Sequence, residues 1–322
     1  MRPHAAPVRG APFANREPMS GRDFEIPAER LPPGFAESIE RVPEQPAVPR
    51  PAATIVLLRD GASGPEALLL RRVRSSGFVP GAYVFPGGRV DESDADPALV
   101  SRLDGLTPAR AAERLGLHDA HPPAVAYYLA AVREAFEETG ILLARSPGGS
   151  PPPTAAESAA LLAERDALLA DERPFAEVLD RLGLRIDGSV LEYVAHWITP
   201  LVEPRRYDTR FFAAQVPPHS EAVIHPSEMT DARWLTPEAA LAACDAGDLP
   251  MVFPTIRTLE QLGGFASVRE VLDAFAQRPV PAILPRLVRT PTGVGLEVED
   301  DEQTSVEGAV EAPPSSPEGH LP

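Results

Sequence analysis

The run Arg133-Glu134-Ala135-Phe136-Glu137-Glu138-Thr139-Gly140 packs three glutamates into five residues. On a helix, at about 100° per residue, Glu134, Glu137 and Glu138 stand at i, i+3 and i+4 and crowd one face. Like charges at that spacing repel by roughly a few tenths of a kcal/mol per pair, and the negative end of the helix dipole near Gly140 adds to the cost. A sequence selected for stability alone avoids this. Hard divalent cations favour it, because Mg²⁺ or Mn²⁺ takes several oxygen ligands. A solvated acidic face is the bland alternative. The strong turn upstream at Pro86-Gly87-Gly88 weighs against it.

The surrounding pattern supplies elements able to hold such a helix. Residues 52–59 (AATIVLLR) and 66–72 (EALLLRR) are β-rich runs with Gly and Asp between them, which predicts a hairpin with a longer loop. Helical periodicity covers 108–115 and 124–139, with Gly140 as the stop, and 141–144 follows as a strand candidate. Helices are expected at 154–170 and 175–182, strands at 193–199 and 209–216, a helix from Thr236-Pro237-Glu238, and two more near 254–262 and 267–276. Interspersed strands and helices make the class α/β or α+β, a layered fold. Residues 1–48 are rich in Pro and Arg, and 286–322 are acidic and Pro-rich, so both are expected to be disordered tails flanking a domain at 49–285.

Composition excludes several chemistries. All 30 basic residues are arginine, which removes a P-loop lysine and a Schiff-base lysine. Cys244 is the single cysteine, so disulfides within the chain and Cys-based zinc sites are ruled out, and a small apolar role in a helix is expected for it. A net charge of −17 argues against a nucleic-acid partner. No long apolar run suggests a membrane span or signal peptide, which makes a cytoplasmic location the default expectation. His196, in an apolar strand, reads as a core histidine, and Trp197 and Trp234 read first as core and second as stacking surfaces for a base.

Gly88, Asp94 and the run from Arg133 to Ile141 together resemble the Nudix box: a glycine, five residues, a glutamate, seven residues, then Arg-Glu-U-X-Glu-Glu-X-Gly-U with U apolar. The second half matches throughout, with Ala135 and Ile141 at the apolar positions. Asp94 stands where the family has glutamate, and it lies 39 positions before Arg133 instead of eight, which implies an insertion of 31 residues at about 95–124. That interruption, together with Trp197-Ile198-Thr199-Pro200, the run 204–212 (PRRYDTRFF) and Trp234-Leu235-Thr236-Pro237-Glu238-Ala239, is similar to the Nudix branch that hydrolyses coenzyme A and acyl-coenzyme A. Gly81-Ala82-Tyr83-Val84-Phe85-Pro86-Gly87-Gly88 also resembles the end of a coenzyme A signature, with Gly77 where that signature has arginine.

The resemblance implies an α/β/α sandwich with a mixed sheet and additional helices, and a metal-dependent hydrolase that cleaves a diphosphate bond in a nucleotide-like substrate. Glu134, Glu137, Glu138 and the Gly88 carbonyl are the implied ligands of Mg²⁺ or Mn²⁺, with Arg133 fixing one carboxylate. Glu138 and Glu228 are both open as the general base, and Asp94 as a structural partner or a ligand. Arginines must bind the phosphates, with Arg72, Arg74, Arg206 and Arg210 the candidates. Coenzyme A or acyl-coenzyme A is the first substrate class, ADP-ribose, NADH or another nucleoside diphosphate derivative the second. A catalytically dead nucleotide-sensing module is the third reading. The oligomeric state is left open.

Overall fold

Residues 52–58 are apolar at both parities, the pattern of a strand buried on both faces, and they form the middle of the main sheet. A computed structural model of the chain describes residues 24–27, 39, 42–74, 80–150, 152–153 and 158–298. Its strands are β1 (Phe24–Pro27), β2 (Arg50–Gly61), β3 (Gly64–Arg72), β4 (Tyr83–Val84), β5 (Gly87–Arg89), β6 (Leu103–Asp104), β7 (Ala144–Arg145), β8 (Arg185–Asp187), β9 (Leu191–Ile198), β10 (Tyr207–Gln215), β11 (Met229–Leu235), β12 (Ala282–Ile283), β13 (Arg286–Arg289) and β14 (Gly293–Glu297). Its helices are α1 (Pro97–Val100), α2 (Pro108–Leu115), α3 (Ala124–Thr139), α4 (Ala159–Leu169), α5 (Phe175–Leu182), α6 (Pro237–Asp245), α7 (Phe253–Leu262) and α8 (Val268–Ala276).

The main sheet runs β11-β3-β2-β10-β9-β12, with β4 on β3 and β5 on β2. It is mixed: β2 and β10 are parallel, while β2 pairs antiparallel with β3 and β5. The two-residue period of a strand sends Ala53, Ile55 and Leu57 to one face and Val56 and Leu58 to the other. The first face is covered by α2 to α5, the second by α6, α7 and α8. This is the expected α/β/α sandwich. At roughly 25 cal/mol per Å² of apolar surface removed from water, these two cores dominate the stability of the fold.

Helix α3 lies against β2 and β5. Its first nine residues, AVAYYLAAV, are all buried, so apolar packing on every side fixes the helix whose last turns carry the glutamates. Gly140 ends it in the left-handed region at φ 70° and donates its N–H to the Phe136 carbonyl, a cap that only glycine adopts without a Cβ penalty.

Two segments differ from expectation. Residues 141–143 form no strand: they are buried against the first core, and β7 covers only Ala144–Arg145, which pairs with β8 in a small sheet with β6. Apolar burial without a ladder produced the strand-like pattern. Residues assigned to the tails also carry structure: β14 pairs with both β13 and β1, and Val294 is fully buried. Glycines at 293 and 295 obscured that strand. Residues 1–23, 28–38, 40–41 and 299–322 of the tails lie outside the described residues. Among the described residues no helix is long and apolar enough to cross a membrane.

Candidate active site

The insertion is a packed unit that returns the chain to α3. Leu99, Leu103, Ala111 and Leu115 enter the first core, and a short 3-10 turn at Glu92–Ala95 holds Asp94 with no exposed surface. Asp94 accepts Arg133 Nε at 2.9 Å and Nη2 at 3.0 Å, and also the Asp91 N–H at 2.8 Å. Arg133 Nη1 donates to Glu134 at 2.9 Å and to Glu137 at 3.0 Å, and Nη2 donates to the Arg89 carbonyl at 2.9 Å. All five N–H donors of the guanidinium are thereby used. Burial opposes the Arg133 charge, but the Asp94 hydrogen bonds and the charges of Glu134, Asp94 and Glu137 outweigh it and raise the group. Both oxygens of Asp94 are committed to Arg133.

The glycines place backbone against the carboxylates. Gly87 pairs with Thr54 of β2, its N–H donates to Glu138 at 3.1 Å, and a Cβ there would stand 2.6 Å from the Ala53 carbonyl oxygen. At Gly88 a Cβ would collide with the Glu134 carboxylate. Burial raises the Glu134 carboxyl to about 7, with Arg133 opposing and Glu137 adding to the rise. Burial likewise raises Glu138 well above the usual range, helped by Glu134 and opposed by the Gly87 N–H and Arg72. Glu137 rises for the same first cause.

Among the described residues no three acidic, histidine or cysteine side chains stand at metal-ligand spacing. The reason is visible: Glu134 and Glu137 share Arg133 Nη1, and Glu138 turns to Gly87. The donor set nonetheless fits a hard cation. It consists of carboxylate oxygens and a peptide carbonyl, held in a buried region where uncompensated negative charge is costly. A divalent ion there would remove that cost, and the missing side chain at Gly88 lets the Glu134 carboxylate lie against the glycine backbone.

The remaining candidates divide. Arg72, at the end of β3, is close enough to favour the ionised form of Glu138. Glu228 is exposed on the loop before β11, its carbonyl accepts the Val73 N–H at 2.9 Å, and its charge raises Glu137 and Glu138. Arg74 is exposed and packs near Gly81, and Gly77 lies outside the described residues. Arg206 donates to the Thr199 carbonyl at 3.0 Å and the Ala47 carbonyl at 2.8 Å, bonds that tie the β9–β10 loop to the chain before β2. Arg210 is buried, with Nη1 3.0 Å from both Tyr193 Oη and His196 Nδ1. His196 completes that network on Asp208 at 2.5 Å, a satisfied core histidine. Neither tryptophan offers an open face for a base: Trp197 is buried edge-on to Phe253, and the Arg59 guanidinium covers Trp234 at 4.4 Å.

Sequence reasoning missed Arg165. It is 2% exposed on α4, and its Nε and Nη2 donate to the Glu137 main-chain carbonyl at 2.9 and 2.5 Å. The available signal was an arginine sharing a helical stripe with Leu161 and Leu168, both buried.

Comparison with known proteins agrees with this geometry. The family model for the NUDT19 Nudix domain matches residues 49–262. The acyl-coenzyme A diphosphatase NUDT19 of Gallus gallus is 30% identical over 265 residues, covering 68% of this chain and 69% of that protein. The human protein of the same name is 30% identical over 277 residues, covering 75% and 72%. The crystal structure of a NUDIX hydrolase from Alicyclobacillus acidocaldarius superposes with a TM-score of 0.61 at 30% identity, covering 72% of this chain and 99% of that one. A glycine turn facing a buried glutamate helix, on this sheet and with these relatives, gives one assignment: the chain belongs to the Nudix hydrolases, in the NUDT19 branch.

Proposed function

We propose that this Nudix hydrolase cleaves the diphosphate bond of coenzyme A or an acyl-coenzyme A, with Glu134, Glu137, Glu138 and the Gly88 carbonyl as the ligands of Mg²⁺ or Mn²⁺. The observation that carries the reading is the Arg133 network, which joins Asp94, Glu134, Glu137 and the glycine turn across the insertion. A structural salt bridge needs one carboxylate; three beside one guanidinium leave negative charge over for a cation. The substrate class rests on the relatives named as acyl-coenzyme A diphosphatases.

A bound divalent ion supplies neutralisation of phosphate charge and activation of water. The chain's own residues do the rest. Arg133 fixes the rotamers of Glu134 and Glu137, a supporting contact of the kind whose loss weakens metal sites. The Gly87 N–H orients Glu138. Arg72 offers a guanidinium for a phosphate oxygen. Glu228 is suited to take up a proton, because it is exposed and can pass it to solvent, whereas Glu138 is buried and held.

The test is product identification by mass spectrometry after incubation with coenzyme A, acyl-coenzyme A, ADP-ribose and NADH in Mg²⁺ and in Mn²⁺. Release of 3′,5′-ADP from the coenzyme A substrates is expected. Faster turnover of ADP-ribose or NADH would move the substrate to the wider nucleoside diphosphate class, and no turnover of any would leave a nucleotide-sensing module.

A further inference from the structure

The last four carbonyls of a helix have no partner within it, and α3 must find partners for its own in the turn that carries two glutamates. The Phe136 carbonyl takes the Gly140 N–H and the Thr139 carbonyl takes the Val223 N–H. The Glu137 carbonyl takes two N–H groups from Arg165. Helix α3 has no basic residue of its own in its last turn, although the negative end of the helix dipole and the Glu137 and Glu138 carboxylates all sit there. Arg165 is the cation brought to that end. It comes from α4, a separate element, and it occupies the buried stripe between Leu161 and Leu168 where a leucine would pack more cheaply. Among the described residues no carboxylate lies within ion-pairing distance of it, so no local ion pair explains its burial; the negative groups that act on it are Asp166, Glu137, Glu138 and Glu228.

We infer that Arg165 is a positioning residue of the hydrolase: its guanidinium fork clamps the Glu137 carbonyl, fixes the last turn of α3 and offsets the charge that Glu137 and Glu138 bring together. The inference rests on the reading of those glutamates as metal ligands. Arginine suits the task better than lysine, because Nε and Nη2 reach one oxygen together while a lysine ammonium is a single point.

Mn²⁺ affinity by electron paramagnetic resonance, together with kcat, KM and Tm, tests this on the full chain as parent, Arg165→Met, Arg165→Lys and Leu161→Ala. Arg165→Met is expected to bind Mn²⁺ more weakly and to lose kcat, each by about 10- to 100-fold, with KM little changed. Arg165→Lys recovers part of both losses. Leu161→Ala removes an apolar neighbour, so it lowers Tm and leaves Mn²⁺ affinity and kcat near parental. Parental Mn²⁺ affinity and kcat in Arg165→Met overturn the inference, as do equal losses in Leu161→Ala. If Arg165→Met fails to fold, parental values in Arg165→Lys overturn it. A parent chain that binds no Mn²⁺ overturns instead the ligand reading beneath it.

Discussion

Replacing Asp94 with alanine removes the one carboxylate outside α3 that, among the described residues, hydrogen-bonds to Arg133; Asp91 stands farther off, at 3.7 Å. Asp94 has no exposed surface and accepts three hydrogen bonds, two of them from the guanidinium. Removing one partner of a buried ion pair costs about 3–5 kcal/mol, because the other charge stays buried. Here Arg133 keeps Glu134, Glu137 and the Arg89 carbonyl, so the lower half of that range, about 3 kcal/mol, is the expected loss. For a domain of this size that lowers Tm by roughly 6–12 °C. Activity should fall as well, since Arg133 loses two of its five hydrogen bonds and holds Glu134 and Glu137 less firmly. Urea unfolding gives the stability and steady-state hydrolysis at a temperature well below both transitions gives the activity. An Asp94→Ala protein within about 0.5 kcal/mol of the parent, a margin typical of surface substitutions, would refute the bridge across the insertion. Asp94→Glu, which restores the family's usual residue, should also destabilise, by about 1–3 kcal/mol, because the extra methylene has no space in a filled site.

Three further outcomes follow from the geometry. In EDTA the chain should lose stability as pH rises, because burial holds the Glu134 carboxyl at about 7 and raises Glu138 too. That stabilisation is complete below the unfolded value near 4.5 and is lost as pH climbs through about 7, on the order of 3 kcal/mol from Glu134 alone, and melting curves that are flat from pH 5 to 8 would contradict it. Gly88→Ala should drive a methyl into the Glu134 carboxylate and lower turnover by about a hundredfold in a protein that still melts cooperatively; parental kinetics would show that the glycine is not needed at the site. Dephospho-coenzyme A should be hydrolysed with lower kcat/KM than coenzyme A if an arginine pairs with the 3′-phosphate, and equal values would remove that contact.

How much of this was legible in the sequence depends on the range of the interaction. Helix α3 announced itself through AVAYYLAAV and Gly140, and β2 and β3 through apolar runs broken by turn residues, since all of these are local signals. The glutamate face was legible because helical spacing alone sets it. The partners of that face were not. Asp94 and Arg133 meet across a 31-residue insertion, and Arg165 reaches Glu137 from 28 positions downstream, contacts that no local period encodes. The arginines were ambiguous for another reason. With lysine absent, every cationic task falls to one residue type, so Arg206 tying loops together and Arg210 in a buried network carry the same letter as Arg72 beside Glu138. Residues 141–143 misled because burial without a ladder and burial within one have the same apolar composition.

The most direct test of the account replaces Glu138 with glutamine and measures turnover and melting together, in EDTA and with added Mg²⁺. If Glu138 holds the ion, turnover falls by about a thousandfold or more, the scale of a lost electrostatic contribution to the transition state. In EDTA the variant should melt at or above the parent temperature, since a neutral amide replaces a buried carboxylate whose charge burial disfavours. Mg²⁺ should raise the parent's Tm and raise the variant's less. A folded Glu138→Gln protein with parental turnover and the parent's full response to Mg²⁺ would contradict the metal-centred account.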